Sequence, residues 1–246
     1  MAPKQKLIID TDPGQDDAVA MLLAFASPEL DVLGITTVAG NVPLSLTQEN
    51  ARKICDLAGC TDMPVFAGAD RPLARSLVTA EHVHGSTGLD GPVLPPPATP
   101  LQDGHAVDFL IDNIYVDPEA AAEMFAAGIP ITMMPLDVTH KAMTTAARTA
   151  AIRAIGSKTA VAVADMLEFY ERFDEEKYGS DGGPLHDPCT IAWMLQPEMF
   201  SGRHCNVEIE TESDLTMGMT VIDWWQVTDR PHNAFVVGDL DADAFF

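Results

Sequence analysis

Basic residues are scarce in this chain: 14 Lys and Arg stand against 37 Asp and Glu, a formal net charge of −23 over 246 residues. Nucleic-acid binding rests on Lys and Arg neutralising phosphates, so a nucleic-acid polymer is excluded as a partner. A substrate drawn from nucleic-acid chemistry has to be a free small molecule. Long apolar runs are missing as well. The N-terminus, MAPKQKLIID, is charged and passes straight into a strand pattern, with no segment long enough for a signal peptide or a membrane span. The expectation is a cytoplasmic protein with no membrane partner. Cysteine is sparse, and Cys55, Cys60, Cys189 and Cys205 form no C-x-x-C pair, which suits a reducing compartment. No linker, internal repeat or low-complexity tract divides the chain, so residues 1–246 are expected to form a single domain.

With 47% hydrophobic residues the chain can bury a sizeable core. Helix and strand patterns alternate along it, which predicts an α/β fold with a mostly parallel central sheet and helices on both faces. NVEIET, MTVIDWW and AFVVGDL read as a smaller antiparallel addition near the C-terminus.

The densest chemistry lies in KLIIDTDPGQDDAVAMLLAF, residues 6–25. Leu7 to Ile9 predicts a buried strand, and from Ala18 the apolar positions recur at helical spacing. Between them sit Asp10, Asp12, Asp16 and Asp17, around Pro13 and Gly14. One Asp before a helix is ordinarily an N-cap. Four in eight residues repel one another unless a cation or a set of donors compensates, and a hard, oxygen-seeking cation such as Ca²⁺ or Mg²⁺ is the expected answer. An EF-hand is ruled out, because Gly14 falls on the third ligand position and Met21 where the bidentate Glu belongs.

Further along, DVLGITTVAGN predicts a second strand ending at Asn41, where open parallel sheets bind ligands; on its residues alone Gly40-Asn41 simply makes the turn. Ser45 to Gln48 predicts a capping box for a helix through Leu57, closed by Gly59, and MPVFAG a third strand. The string HGSTGLDG begins at His84. An Ala-rich helical region covers roughly 142–178, and GGPLHDPC carries His186 and Asp187 into a helix opened by Pro188.

A strand ending in D-x-D-P-G-x-D-D-A, then H-G-x-x-G-L-D-G, then G-G-P-L-H-D-P-C, in that order and over most of the chain, resembles the inosine–uridine-preferring nucleoside hydrolases. These are calcium-dependent enzymes of Rossmann-like fold that cleave the N-glycosidic bond of ribonucleosides. The resemblance implies that Asp12, Asp17 and Asp187 ligate Ca²⁺ with Asp10 supporting them, and that Asp16, Asn41 and Asn113 hold ribose hydroxyls. It further implies that His84, His186, Tyr170 and Tyr178 face the base and that Asp12 activates water; on chemical grounds His186 is the expected acid for the leaving base, with the neighbouring Asp187 expected to keep it charged. A homodimer or homotetramer is implied too.

One place departs from the pattern. A helix is predicted from Gly104 to Asp112, and only Asn113 to Val116 separates it from a second helix pattern, DPEAAAEMFAAG, where a strand is wanted. Family members carry several tens of additional residues here, including a sheet strand, a carbonyl that completes the metal site, and a Glu–Phe–Asn string of which Asn113 matches the Asn. A segment is therefore expected to be missing between Asp112 and Asn113. If that is a true deletion, the alternative is a catalytically impaired nucleoside- or ribose-binding protein. A D-x-D phosphatase is a further alternative, poorly served by Pro13-Gly14 followed at once by Asp16-Asp17.

Overall fold

The computed structural model describes residues 4–72, 76–106, 122, 125–213, 215–216 and 218–246. Asn113 lies outside them, as does the side chain of Tyr178. Strand β1 (Gln5–Thr11) leads through the acidic turn into α1 (Gln15–Ala26), then β2 (Leu30–Thr37), α2 (Leu44–Ala58), β3 (Val65–Ala67), the single turn α3 (Glu81–His84) and β4 (Leu101–His105). These four strands make a parallel sheet in the order β1-β2-β3-β4. Helices α1 and α2 make the first two crossovers, while β3 reaches β4 through a long connection whose one described helical turn is α3.

After β4 come β5 (Thr132–Met133), α4 (Leu136–Thr139), β6 (Met143–Thr144), α5 (Ala146–Ala154), α6 (Lys158–Tyr178), β7 (Gly183–Pro184) and α7 (Pro188–Leu195). Strands β8 (Phe200–Cys205), β9 (Val207–Ile209), β10 (Thr220–Ile222) and β11 (Ala234–Leu240) follow, and a last turn, α8 (Ala242–Phe245), ends the chain. Strand β11 runs parallel to β5 and antiparallel to β8, while β9 and β10 form an antiparallel hairpin.

The core explains the central position of α1. Met21 and Ala18 pack with Ile35, Ile54, Val65, Val138, Met166 and Leu167 in one cluster, while Ala20 and Ala24 face Leu30 and Ile191 in another. A helix buried on opposite sides is apolar nearly all round, and AVAMLLAF supplies that. It holds the acidic turn rigidly at the C-terminal end of β1.

Several expectations are corrected. Leu7, Ile8 and Ile9 are half-buried rather than buried, because among the described residues β1 pairs with β2 alone. Helix α2 is capped two residues earlier than its predicted box, at Pro43 instead of Ser45 and with no side-chain cap, though Gly59 closes it at φ +78° as expected. Residues 101–105 form a strand where the predicted helix begins at Gly104. The region 142–178 is two helices, since Gly156 turns at φ +74° and Ser157 caps the second through Ala160 N. The antiparallel C-terminal addition forms as expected in β9–β10 and β8–β11, with β5 joining the other side of β11 in parallel.

Candidate metal centre and nucleoside pocket

The site forms where β1 and β2 end. Asp10 and Asp12 are two residues apart on β1 and its exit, so they share a face. Asp10 lies beside Thr36 across the ladder and accepts that hydroxyl at 2.5 Å. Asp12 accepts the backbone N–H of Asn41 at 2.6 Å. That approach depends on Gly40, where a Cβ would stand 2.1 Å from the Asp12 carboxylate. Asn41 Nδ2 donates to Asp12 O and to Asp17 Oδ2, both at 3.1 Å, which turns the amide into the acidic cluster.

Asp17 sits in the first turn of α1, where the free N–H groups favour a carboxylate. It accepts from Gly14 N at 2.9 Å and from the Thr11 hydroxyl. Asp187 arrives from the far end of the chain at the N-cap of α7, yet its side chain makes no capping bond and joins the cluster. Oxygens of Asp16, Asp17 and Asp187 all lie within 4.8 Å of one another. Asp12 reaches this trio through Asn41, and Asp10, the most exposed of the carboxylates, is occupied by Thr36.

Electrostatics mark the cluster as built for a cation. Burial, then the charge of Asp17, pushes the carboxyls of Asp12 and Asp16 up to about 7. Burial together with Asp17, Asp16 and Asp12 holds Asp187 well above the ordinary carboxylate range. Asp16 Oδ1 is buried with no hydrogen-bond partner, a costly arrangement unless something else pairs with it. An all-oxygen, carboxylate-rich donor set of this kind fits a hard divalent cation. The residues present therefore fit the metal that the sequence implies.

Around this centre stand two histidines. His84 is buried, its ring stacked on Tyr170 at 5.6 Å and 27°. Tyr170 is itself only 4% exposed, so it backs His84 and offers no open face. His186 Nδ1 lies 2.7 Å from the Thr139 hydroxyl, and its ring meets His140 edge-on at 4.9 Å. The expectation that Asp187 keeps His186 charged is corrected. Burial, then His140 and His84, pushes it down to about 4.

Sequence reading missed Thr139, His140 and Gln15. The signal for the first two was LDVTH, a polar pair that closes the short helix α4. For Gln15 it was position alone, inside the acidic motif. Asn50, on α2, is another: its Nδ2 donates to Pro13 O at 3.1 Å and Thr87 O at 2.8 Å, tying the acidic turn to the loop that follows His84.

Carboxylates gathered at the C-terminal ends of parallel strands, with histidines beside them, define an α/β enzyme that handles a small polar ligand with a divalent cation. The profile of the inosine-uridine preferring nucleoside hydrolases matches residues 7–112 and 113–246. An uncharacterized protein of Schizosaccharomyces pombe is 45% identical over 298 aligned positions, covering 98% of this chain and 96% of that protein. A pyrimidine-specific ribonucleoside hydrolase RihA of Photobacterium profundum is 42% identical over 97% of this chain and 95% of its own length. Among solved structures, a purine-preferring ribonucleoside hydrolase from Gardnerella vaginalis superposes with a TM-score of 0.89 at 26% identity, over 98% and 95% of the two chains. The chain belongs to the inosine-uridine preferring nucleoside hydrolase family, and it is a ribonucleoside hydrolase. Membership decides against the phosphatase alternative.

Proposed function

We propose that the chain hydrolyses the N-glycosidic bond of free ribonucleosides with Ca²⁺ held by Asp12, Asp17 and Asp187, with Asp10 in support. The observation that carries this reading is the convergence of Asp16 and Asp17 with Asp187, from opposite ends of the sequence, around the unpartnered Asp16 Oδ1. When bound, Ca²⁺ supplies a template for the sugar diol and an acidified water as nucleophile. Asp12 accepts the proton of that nucleophile. Bond breaking runs through an oxocarbenium-like sugar, and the excess carboxylate charge stabilises it. Asn41 and Asp16 orient ribose hydroxyls. His186, aimed by Thr139 and neutral in the resting protein, takes up a proton from solvent as the nucleoside binds and passes it to the departing base. Tyr170 acts through His84. Asn113 and Tyr178 are assigned as sugar and base contacts on the resemblance alone. The protein works in the cytoplasm as a homodimer or homotetramer.

A segment absent between Asp112 and Asn113 belongs to the same reading. In its favour, the family profile breaks between those two residues, and the Schizosaccharomyces alignment extends over more positions than the chain has residues. The single sheet partner of β1 among the described residues points the same way. Ribose release from uridine, cytidine, inosine and adenosine, with and without chelator, tests the function: chelator-sensitive release is the expected result. Release that is unchanged by chelator would overturn the Ca²⁺ assignment.

A further inference from the structure

Gln15 is uncharged within the acidic motif, and the roles above leave it unused. It opens α1 and is completely buried, at 0% exposure. Its Nε2 donates to the backbone carbonyls of His84 at 2.9 Å and Asp90 at 3.2 Å. Carbonyls only accept, so the nitrogen end of the amide must lie there. Its oxygen, Oε1, then lies 2.8 Å from His84 Nδ1. An amide oxygen only accepts, so Nδ1 carries the proton.

The rest of the ring's surroundings preserve that choice. Burial lowers the pKa of His84, which keeps the imidazole neutral. Tyr170 covers one face, and Gly14 leaves room for the Nδ1 edge, since a Cβ there would sit 2.4 Å from Nδ1. A neutral imidazole protonated at Nδ1 has a bare Nε2, which can only accept.

We propose that Gln15 is a positioning residue that locks His84 in the Nδ1–H tautomer, so that Nε2 presents a hydrogen-bond acceptor to a donor group of the nucleoside. This rests on the ribonucleoside reading of the site. Two groups of the substrate have the matching chemistry, a ribose hydroxyl and a ring N–H of the base.

Two measurements test it. Long-range ¹H–¹⁵N correlation spectra of the histidine-labelled, full-length protein report the tautomer, with His84 assigned by its loss in His84→Gln. The expected spectrum shows a protonated Nδ1 and a bare Nε2, and a shift towards the opposite tautomer in Gln15→Met. A wild-type ring protonated at Nε2 overturns the proposal, whatever the protein's turnover. The second measurement compares kcat and KM for uridine, 5′-deoxyuridine and 3-methyluridine. A preference of about tenfold for uridine over the deoxy analogue identifies the hydroxyl as the donor; over the methyl analogue, it identifies the base N–H. In Gln15→Met that preference collapses. An equal fall with all three substrates assigns Gln15 a merely structural role and overturns the proposal. If Gln15→Met does not fold, Gln15→Asn, which keeps the amide but withdraws it by one methylene, gives the same comparison. The expected tautomer in a protein that turns nothing over supports the lock and counts against the hydrolase reading instead.

Discussion

The Thr139 hydroxyl and His186 Nδ1 lie 2.7 Å apart across 47 residues of sequence. This contact joins the turn after β5 to the entry of α7, and it fixes the ring that stands beside Asp187. Replacing Thr139 by Val keeps the shape and removes the hydrogen bond. One such bond contributes about 0.5–1.5 kcal/mol. Steady-state kinetics should therefore show kcat falling roughly 3–10-fold, with KM little changed.

Asp12→Asn tests the assigned base. The carboxamide fits the same space beside Gly40 and can still accept from Asn41 N, so the circular dichroism spectrum should match wild type. Turnover should fall by roughly 10²–10⁴-fold, the usual contribution of a general base. Wild-type turnover in the variant would remove Asp12 from that role.

The carboxylates predict a linked dependence on pH and cation. Asp12 and Asp16 titrate near 7 in the metal-free protein, above their ordinary value of 3.8. A raised folded pKa contributes stability that is fully present below the unfolded value and is lost as pH rises through the folded one. Chelated protein should therefore melt lower at pH 8 than at pH 5. Adding Ca²⁺ at about 100 times its Kd contributes about 2.7 kcal/mol, or roughly 5–10 °C for a chain of this size. The gain should be larger at pH 8 than at pH 5, as differential scanning fluorimetry can measure.

Glu171 makes a second pH prediction away from the metal. It is 7% exposed and accepts the Thr149 hydroxyl at 2.9 Å, and burial raises its pKa. Its charged form is thus disfavoured in the folded state, so wild type loses stability as pH rises above the ordinary Glu range. Glu171→Gln should melt higher than wild type at pH 8 and about equally at pH 5. A variant less stable at both values would show that the carboxylate's charge is used.

The acidic turn, the His84 loop and the His186-Asp187 pair were legible because each packs several chemistry-bearing residues into a few positions of sequence. What lay between was harder. Leu101–His105, LQDGH, has no strand composition; pairing with β3 determines it, as tertiary context overrides local preference. Strand β8, with Ser201, Gly202 and Arg203, forms because β11 offers it a partner. The lowered pKa of His186 is not legible in its own stretch, because the nearest charge in sequence, Asp187, turns towards the other carboxylates, while burial, then His140 and His84 from distant segments, lower it. The Thr139 and Gln15 contacts span 47 and 69 residues, beyond any local pattern.

Gln15 and Asn50 together cross-brace the acidic turn to the 84–90 loop through four backbone carbonyls. The acidic turn proposed to hold the cation and the loop proposed to meet the nucleoside are thereby one mechanical body. Changing base preference by altering the 84–90 loop would disturb the cation site in the same stroke. The outer turns of α6, where Phe169 and Phe173 make ring contacts with Arg172 and His82, anchor none of these four braces and can vary without that penalty.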